Sequence, residues 1–281
     1  MNIGIIGAGK VGTTLGKYLS EKGISIVGIY SKTAVHAKET AEFIGTEYYE
    51  ELEKLLDLSD TLFLTTPDGE IAKVWDCMKE YNLQGKIICH FSGSLSSDVF
   101  ISYEGTGANV CSVHPIYAFS NKFSAYQHFS KVCFTIEGQG AFQMKKFWED
   151  LGHPVRLIEK QDKIKYHAAM SLASNHVLAL IYTAVNLLKE CGFQTQEAYQ
   201  TLENIVLENA KAGMSLGATE ALTGPVERND WNTVEKHLAV LSGQDEKIYR
   251  ALGEKLLEMA DKKHPGVNYG KMKEIIGGSK E

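Results

Sequence analysis

Apolar and polar positions follow two different rhythms along this chain. Over residues 1–115, short and largely apolar runs at 3–6, 24–30, 61–65 and 86–90 take turns with stretches of helical spacing at 10–22, 34–44, 50–56 and 70–81. Runs that do not alternate belong to strands buried on both faces. Strands that take turns with helices build a parallel sheet covered on two sides. From Asn109 the pattern shifts. Residues 110–113, 132–136 and 155–158 read as strands, an aromatic-rich segment spans 117–129, and 142–151 is helical. Beyond residue 160 every periodic stretch is helical. Residues 162–189 predict one long helix that is apolar nearly all round, which suits the centre of a bundle or a subunit interface. Further helices are expected at 197–211, 231–241 and 246–262, with Thr223-Gly224-Pro225 as a turn between them.

The first strand runs into Gly7-Ala8-Gly9-Lys10-Val11-Gly12, and a helix follows at once. In that setting each glycine has a physical task. Gly7 permits a tight turn, Gly9 lets backbone approach a pyrophosphate, and Gly12 lets helix and strand pack closely. The helix N-terminus then offers unpaired N–H groups and the positive end of its dipole to phosphate. The expected fold class is therefore α/β. A doubly wound Rossmann domain over 1–160 binds the cofactor, and an all-α domain over 161–281 serves substrate binding and dimerisation. Ser31 and Lys32 follow the second strand where an acid would mark NAD. A hydroxyl and an ammonium there suit a 2′-phosphate, so NADP is the expected cofactor. Ligands of such sheets lie beyond the carboxyl ends of strands. That places Thr65, Thr66 and Pro67 beside the cofactor ribose, and His90 and Ser92 near the nicotinamide. Asp68 either touches the cofactor or caps the next helix.

Charge and cysteine content narrow the remaining classes. A net charge of -6 lacks the basic footprint of a nucleic-acid binder. No run of about 18 residues is free of polar interruption, so no membrane span is expected. The start has no basic leader and does not read as a signal peptide. Five widely spaced cysteines without a CxxC suggest free thiols in a reducing cytoplasm, and no metal site is expected.

Hydride transfer needs placement and a proton donor, and histidine suits the second task near neutral pH. His114 ends a strand, while His167, Ser171, Ser174 and Asn175 could form one polar stripe on the long helix. Asn175 and Ser171 would orient the reacting group of a small-molecule substrate, and His114 or His167 would donate the proton.

GAGKVG, TTPD, HFSGSL, SVHPIYAF, HAAMSLASNH and LTGPVERND occur in this order. So arranged, they resemble a family of NADP oxidoreductases that join an N-terminal Rossmann-like domain to a C-terminal helical domain of uncharacterised function. The family is similar to pyrroline-5-carboxylate reductase and to deazaflavin-dependent NADP oxidoreductases. The resemblance implies an NADP-dependent reductase or dehydrogenase acting on a small carbonyl, imine or deazaflavin. From pyrroline-5-carboxylate reductase it implies a substrate loop at Val113-His114-Pro115-Ile116. In the related β-hydroxyacid dehydrogenases a catalytic lysine stands one turn before an asparagine; here Asn175 matches the asparagine, and Ser171 occupies the lysine position. The competing reading is a non-catalytic dinucleotide-binding redox sensor or partner subunit.

Overall fold

Residues 1–278 are described by a computed structural model. The first part of the chain runs β1 (Asn2–Ile6), α1 (Lys10–Glu21), β2 (Ser25–Tyr30), α2 (Ala34–Ile44), β3 (Tyr48–Tyr49), α3 (Leu52–Leu58), β4 (Thr61–Leu64), α4 (Asp68–Met78), β5 (Ile87–His90), β6 (Asn109–Pro115), β7 (Phe134–Gly138), α5 (Ala141–Asp150), β8 (Val155–Leu157) and α6 (Lys163–Ala173). The strands form one sheet in the order β3-β2-β1-β4-β5-β6-β7-β8. Every pairing is parallel except β6 with β7. Neighbouring residues on a strand feed opposite cores. Leu62 and Leu64 pack with Trp75 and Ile88, whereas Phe63 between them joins Cys89, Phe134 and Trp148. Burial on both faces explains why these strands carry no polar alternation. The chain leaves β1 for β2 on one side and returns to β4 on the other. The carboxyl ends of β1 and β4 therefore flank the switch point where such sheets hold ligands. β3, only two residues long, was not expected, because two positions show no period.

The chain divides into two compact units, Met1–Ser174 and Asn175–Glu281. The boundary thus lies 14 residues beyond the expected one at 160, because α6 stays with the sheet. Its first residue, Lys163, is 1% exposed, and its Nζ donates to Ser112 Oγ on β6.

The expected single helix over 162–189 is in fact two. α6 stops at Ala173 and α7 (Asn175–Glu190) starts after Ser174, which sits at φ -126, ψ -80. The Ser174 hydroxyl donates to Met170 O at 2.7 Å. Such bonding back to the carbonyl four residues earlier bends helices. The second unit continues with α8 (Thr195–Leu216), α9 (Ala218–Ala221), α10 (Trp231–Val240), α11 (Gly243–Lys263) and α12 (Gly270–Gly277). Its core of Val226, Val234, Leu238, Leu257, Ala260, Met272 and Ile276 lies among the later helices. α7 is not central to it, since Val185 is its one buried residue. By length and composition Lys160–Glu190 is apolar enough to cross a membrane, contrary to expectation: its best window has mean hydropathy 1.4 and is 6% buried. The break at Ser174 leaves helices of 11 and 16 residues, and each is shorter than the roughly 20 a span requires.

Candidate functional site

β1 runs into Gly7, whose φ of +113 is open only to glycine at low cost. A Cβ on Gly12 would lie 2.3 Å from Gly7 O and 2.4 Å from Thr65 Oγ1, so helix and loop touch through bare backbone. Thr65 completes the turn by donating from Oγ1 to Gly7 O at 2.9 Å. Around Gly9 nothing lies within 4 Å of a Cβ position. The space outside is a cavity of about 940 Å³. The loop from Gly7 to Val11 lines it, with Ser31 and Lys32 after β2, Thr65 to Asp68 after β4, and Ser92 after β5. His36 and Lys73 also line it and were not anticipated. Both follow a strand by a full helical turn or more, where no local motif marks them. Gly12 does not line the cavity; its part is the close packing beneath it. The Thr66 hydroxyl is buried at the cavity wall without a partner.

The loop after β5 is tied by its own polar groups. Ser92 Oγ accepts from Ser94 N at 3.1 Å and Leu95 N at 3.0 Å, and donates to Asp68 Oδ2 at 2.8 Å. Ser94 Oγ donates to the same carboxylate oxygen at 2.9 Å. Asp68 is the first residue of α4, whose N-cap is Pro67. It links two loops instead. His90, expected at the cofactor, does not reach the cavity. It is fully buried, accepting from Ser92 N at Nδ1 and facing Ser96 O with Nε2. Burial holds its pKa down to about 4, helped by the Lys163 charge. A neutral ring with both nitrogens engaged is a structural knot under the loop.

His114 meets α6. Its Nδ1 lies 2.8 Å from the Tyr166 hydroxyl, and its ring centroid 6.1 Å from that of His167 in an edge-to-face arrangement. A Cβ on Gly93 would be 2.9 Å from Nε2 of each imidazole and 2.6 Å from His167 Cδ2. Only glycine leaves room for both rings there. Burial lowers the His114 pKa to about 4, the Lys163 ammonium and His167 adding to the effect and Asp68 opposing it. Lys163 is itself held down to about 8 by burial, against the pull of Glu137. Tyr166 is pushed up by burial, so its hydroxyl keeps its proton.

The structure brings His114 and His167, expected as alternative proton donors, into ring contact. The wider stripe is interrupted: Ser171 is half-buried on α6, while Asn175 is the exposed first residue of a different helix in the second unit. Sequence reasoning missed Tyr166, Lys163 and Gly93. The first two stand on a helix whose apolar composition hid them, although Tyr166 adjoins His167. Gly93 lies within the HFSGSL segment already singled out.

Residues 1–115 match the family model of a Rossmann-like domain, and residues 132–256 match a domain of unknown function, DUF2520. The second match starts within the sheet and so includes β7, α5, β8 and α6. No curated protein matches the chain. Among solved structures, a "putative NADP oxidoreductase" from Bacteroides fragilis is 24% identical with a TM-score of 0.73, over 92% of this chain and 98% of that one. Protein TM1727 from Thermotoga maritima is 25% identical with the same score and coverage. A pyrroline carboxylate reductase from Plasmodium falciparum with NADP bound shares the fold at 13% identity and a TM-score of 0.58, over 92% and 98% of the two chains. The chain carries a Rossmann-like domain followed by a DUF2520 domain.

Proposed function

We propose that the protein is an NADP-dependent oxidoreductase that moves a hydride between the nicotinamide and a small carbonyl, imine or deazaflavin substrate. One observation carries this reading. Two consecutive residues join the glycine-loop cavity to the imidazole pair: Ser92 lines the cavity, and Gly93 makes room for His114 and His167. The residues present fit a dinucleotide. The start of α1 has no side-chain cap on its N–H groups, the space at Gly9 is open, and the Thr66 hydroxyl has no partner. Ser31, Lys32, His36 and Lys73 offer a hydroxyl, an imidazole and two ammonium groups for a 2′-phosphate. When bound, the nicotinamide gives or takes a hydride. The chain's part is to orient it and to move the proton, through His114 or His167. The structures of an NADP oxidoreductase type and of an NADP-bound reductase among the neighbours support the same reading. Oxidation of NADPH in the presence of carbonyl, imine and deazaflavin panels tests it. Tight NADPH binding with no turnover on any panel would favour the non-catalytic dinucleotide-binding role.

The same reading includes a cytoplasmic homodimer joined through the helical unit. All five cysteines are free. Leu178, Tyr182, Ile205, Leu207, Met214 and Leu216 on α7 and α8 are each more than half exposed, which is costly in water for a monomer. A second copy would cover them as a core cut in half. Sedimentation at micromolar concentration should give twice the chain mass; a monomer would remove this part of the reading.

A further inference from the structure

We propose that Tyr166 is a positioning residue that keeps the His114 proton on Nε2, and that this nitrogen donates it to the oxygen of a neutral carbonyl substrate over Gly93. The first half stands on geometry alone; the second rests on the oxidoreductase reading. The Tyr166 hydroxyl and His114 Nδ1 are 2.8 Å apart, with the rings edge to face at 5.7 Å. A neutral imidazole has one lone-pair nitrogen and one N–H. A half-buried phenol must give its proton to an acceptor; of the Thr135 hydroxyl and the His114 Nδ1 lone pair beside it, the imidazole nitrogen is the stronger. The proton of the ring then sits on Nε2, at the edge that meets Gly93. The groups facing this ring are Tyr166 and His167, with Lys163 and Asp68 acting through their charges. The fall of the His114 pKa to about 4 agrees with a ring that is neutral at pH 7.

A neutral N–H within the field of the Lys163 charge favours a substrate atom that becomes negative during reaction. A carbonyl oxygen does so, whereas an iminium nitrogen only loses positive charge. The balance closes simply. Hydride adds to the carbonyl carbon and the π pair passes to oxygen. That oxygen takes the Nε2 proton as the Tyr166 proton moves to Nδ1; Nδ1 then returns that proton to the phenolate, and a solvent proton restores Nε2–H. The alcohol gains one hydride and one proton.

The test is nitrogen-15 spectroscopy of the histidine rings at pH 7.5, with His114→Gln to assign the signals. The expected spectrum shows His114 protonated at Nε2 and bare at Nδ1, with Tyr166→Phe raising the Nδ1–H form severalfold. A wild-type ring protonated at Nδ1, or a tautomer ratio that Tyr166→Phe does not move, overturns the positioning role. Should Tyr166→Phe not fold, the wild-type spectrum decides alone. Turnover of iminium but not carbonyl substrates overturns the substrate half and leaves the proposed function intact. Absence of any NADPH oxidation removes the proposed function and does not touch the tautomer result.

Discussion

Replacing Gly9 with alanine separates a phosphate-binding loop from a mere glycine turn. Gly9 has φ -85 and ψ -171, extended backbone that alanine adopts freely. No atom lies within 4 Å of the new Cβ. The folded protein should therefore tolerate the change, and the loss of unfolded-state freedom should stabilise it by about 0.4–1 kcal/mol. A pyrophosphate seated on the α1 N-terminus needs the space that the methyl would take. Loss of one charge-assisted hydrogen bond costs about 1.5–3 kcal/mol, or roughly ten- to a hundredfold in Kd. Gly12→Ala is the contrasting case. Its Cβ would lie 2.3 Å from Gly7 O, so backbone must move, at about 1–3 kcal/mol of stability. Thermal melts and NADPH titration by protein fluorescence read both variants. Gly9→Ala should keep or raise its melting temperature and lose affinity, while Gly12→Ala should lose both. A Gly9→Ala protein that binds NADPH as tightly as wild type would refute the reasoning.

Further outcomes follow from other parts of the site. NADPH should bind more tightly than NADH, and Lys32→Glu should reverse the order in competitive titrations; equal wild-type affinities would contradict the assignment of Ser31 and Lys32. Gly93→Ala should leave NADPH affinity within about twofold yet cut turnover by about 10², since both imidazoles must shift by a sizeable part of an ångström. Stability should fall with acidity through His90. Its folded pKa, about 4, lies below the unfolded 6.5, so the unfolded chain gains the proton first. That contribution is complete above pH 6.5 and declines by up to about 3 kcal/mol as pH drops to 4. Urea unfolding should show a shallower acid slope in His90→Asn than in wild type.

The sheet and its loop were legible because they rest on local signals: doubly buried strands, a glycine spacing, and polar residues at strand ends. The imidazole pair was legible only as separate histidines. What joins them is register and helix placement. α6 carries Tyr166 and His167 to the end of β6, and nothing in the local sequence records that meeting. The break at Ser174 was hidden for a related reason, since serine in an apolar helical pattern does not interrupt the period. His90 misled because a histidine at a strand end looks the same whether it faces ligand or closes its own loop. Lys163 was invisible because a buried lysine has the same sequence surroundings as an exposed one. Its burial and its contact with Ser112 show that it points inward.

The anchoring of α6 by Lys163 has a kinematic consequence. Tyr166, His167 and the glycine loop all belong to the first compact unit, as does His114. The spacing between the imidazole pair and the cavity is thus set within one compact unit. The distance from the two rings to the Ser92 edge of the cavity therefore depends on contacts of that unit alone.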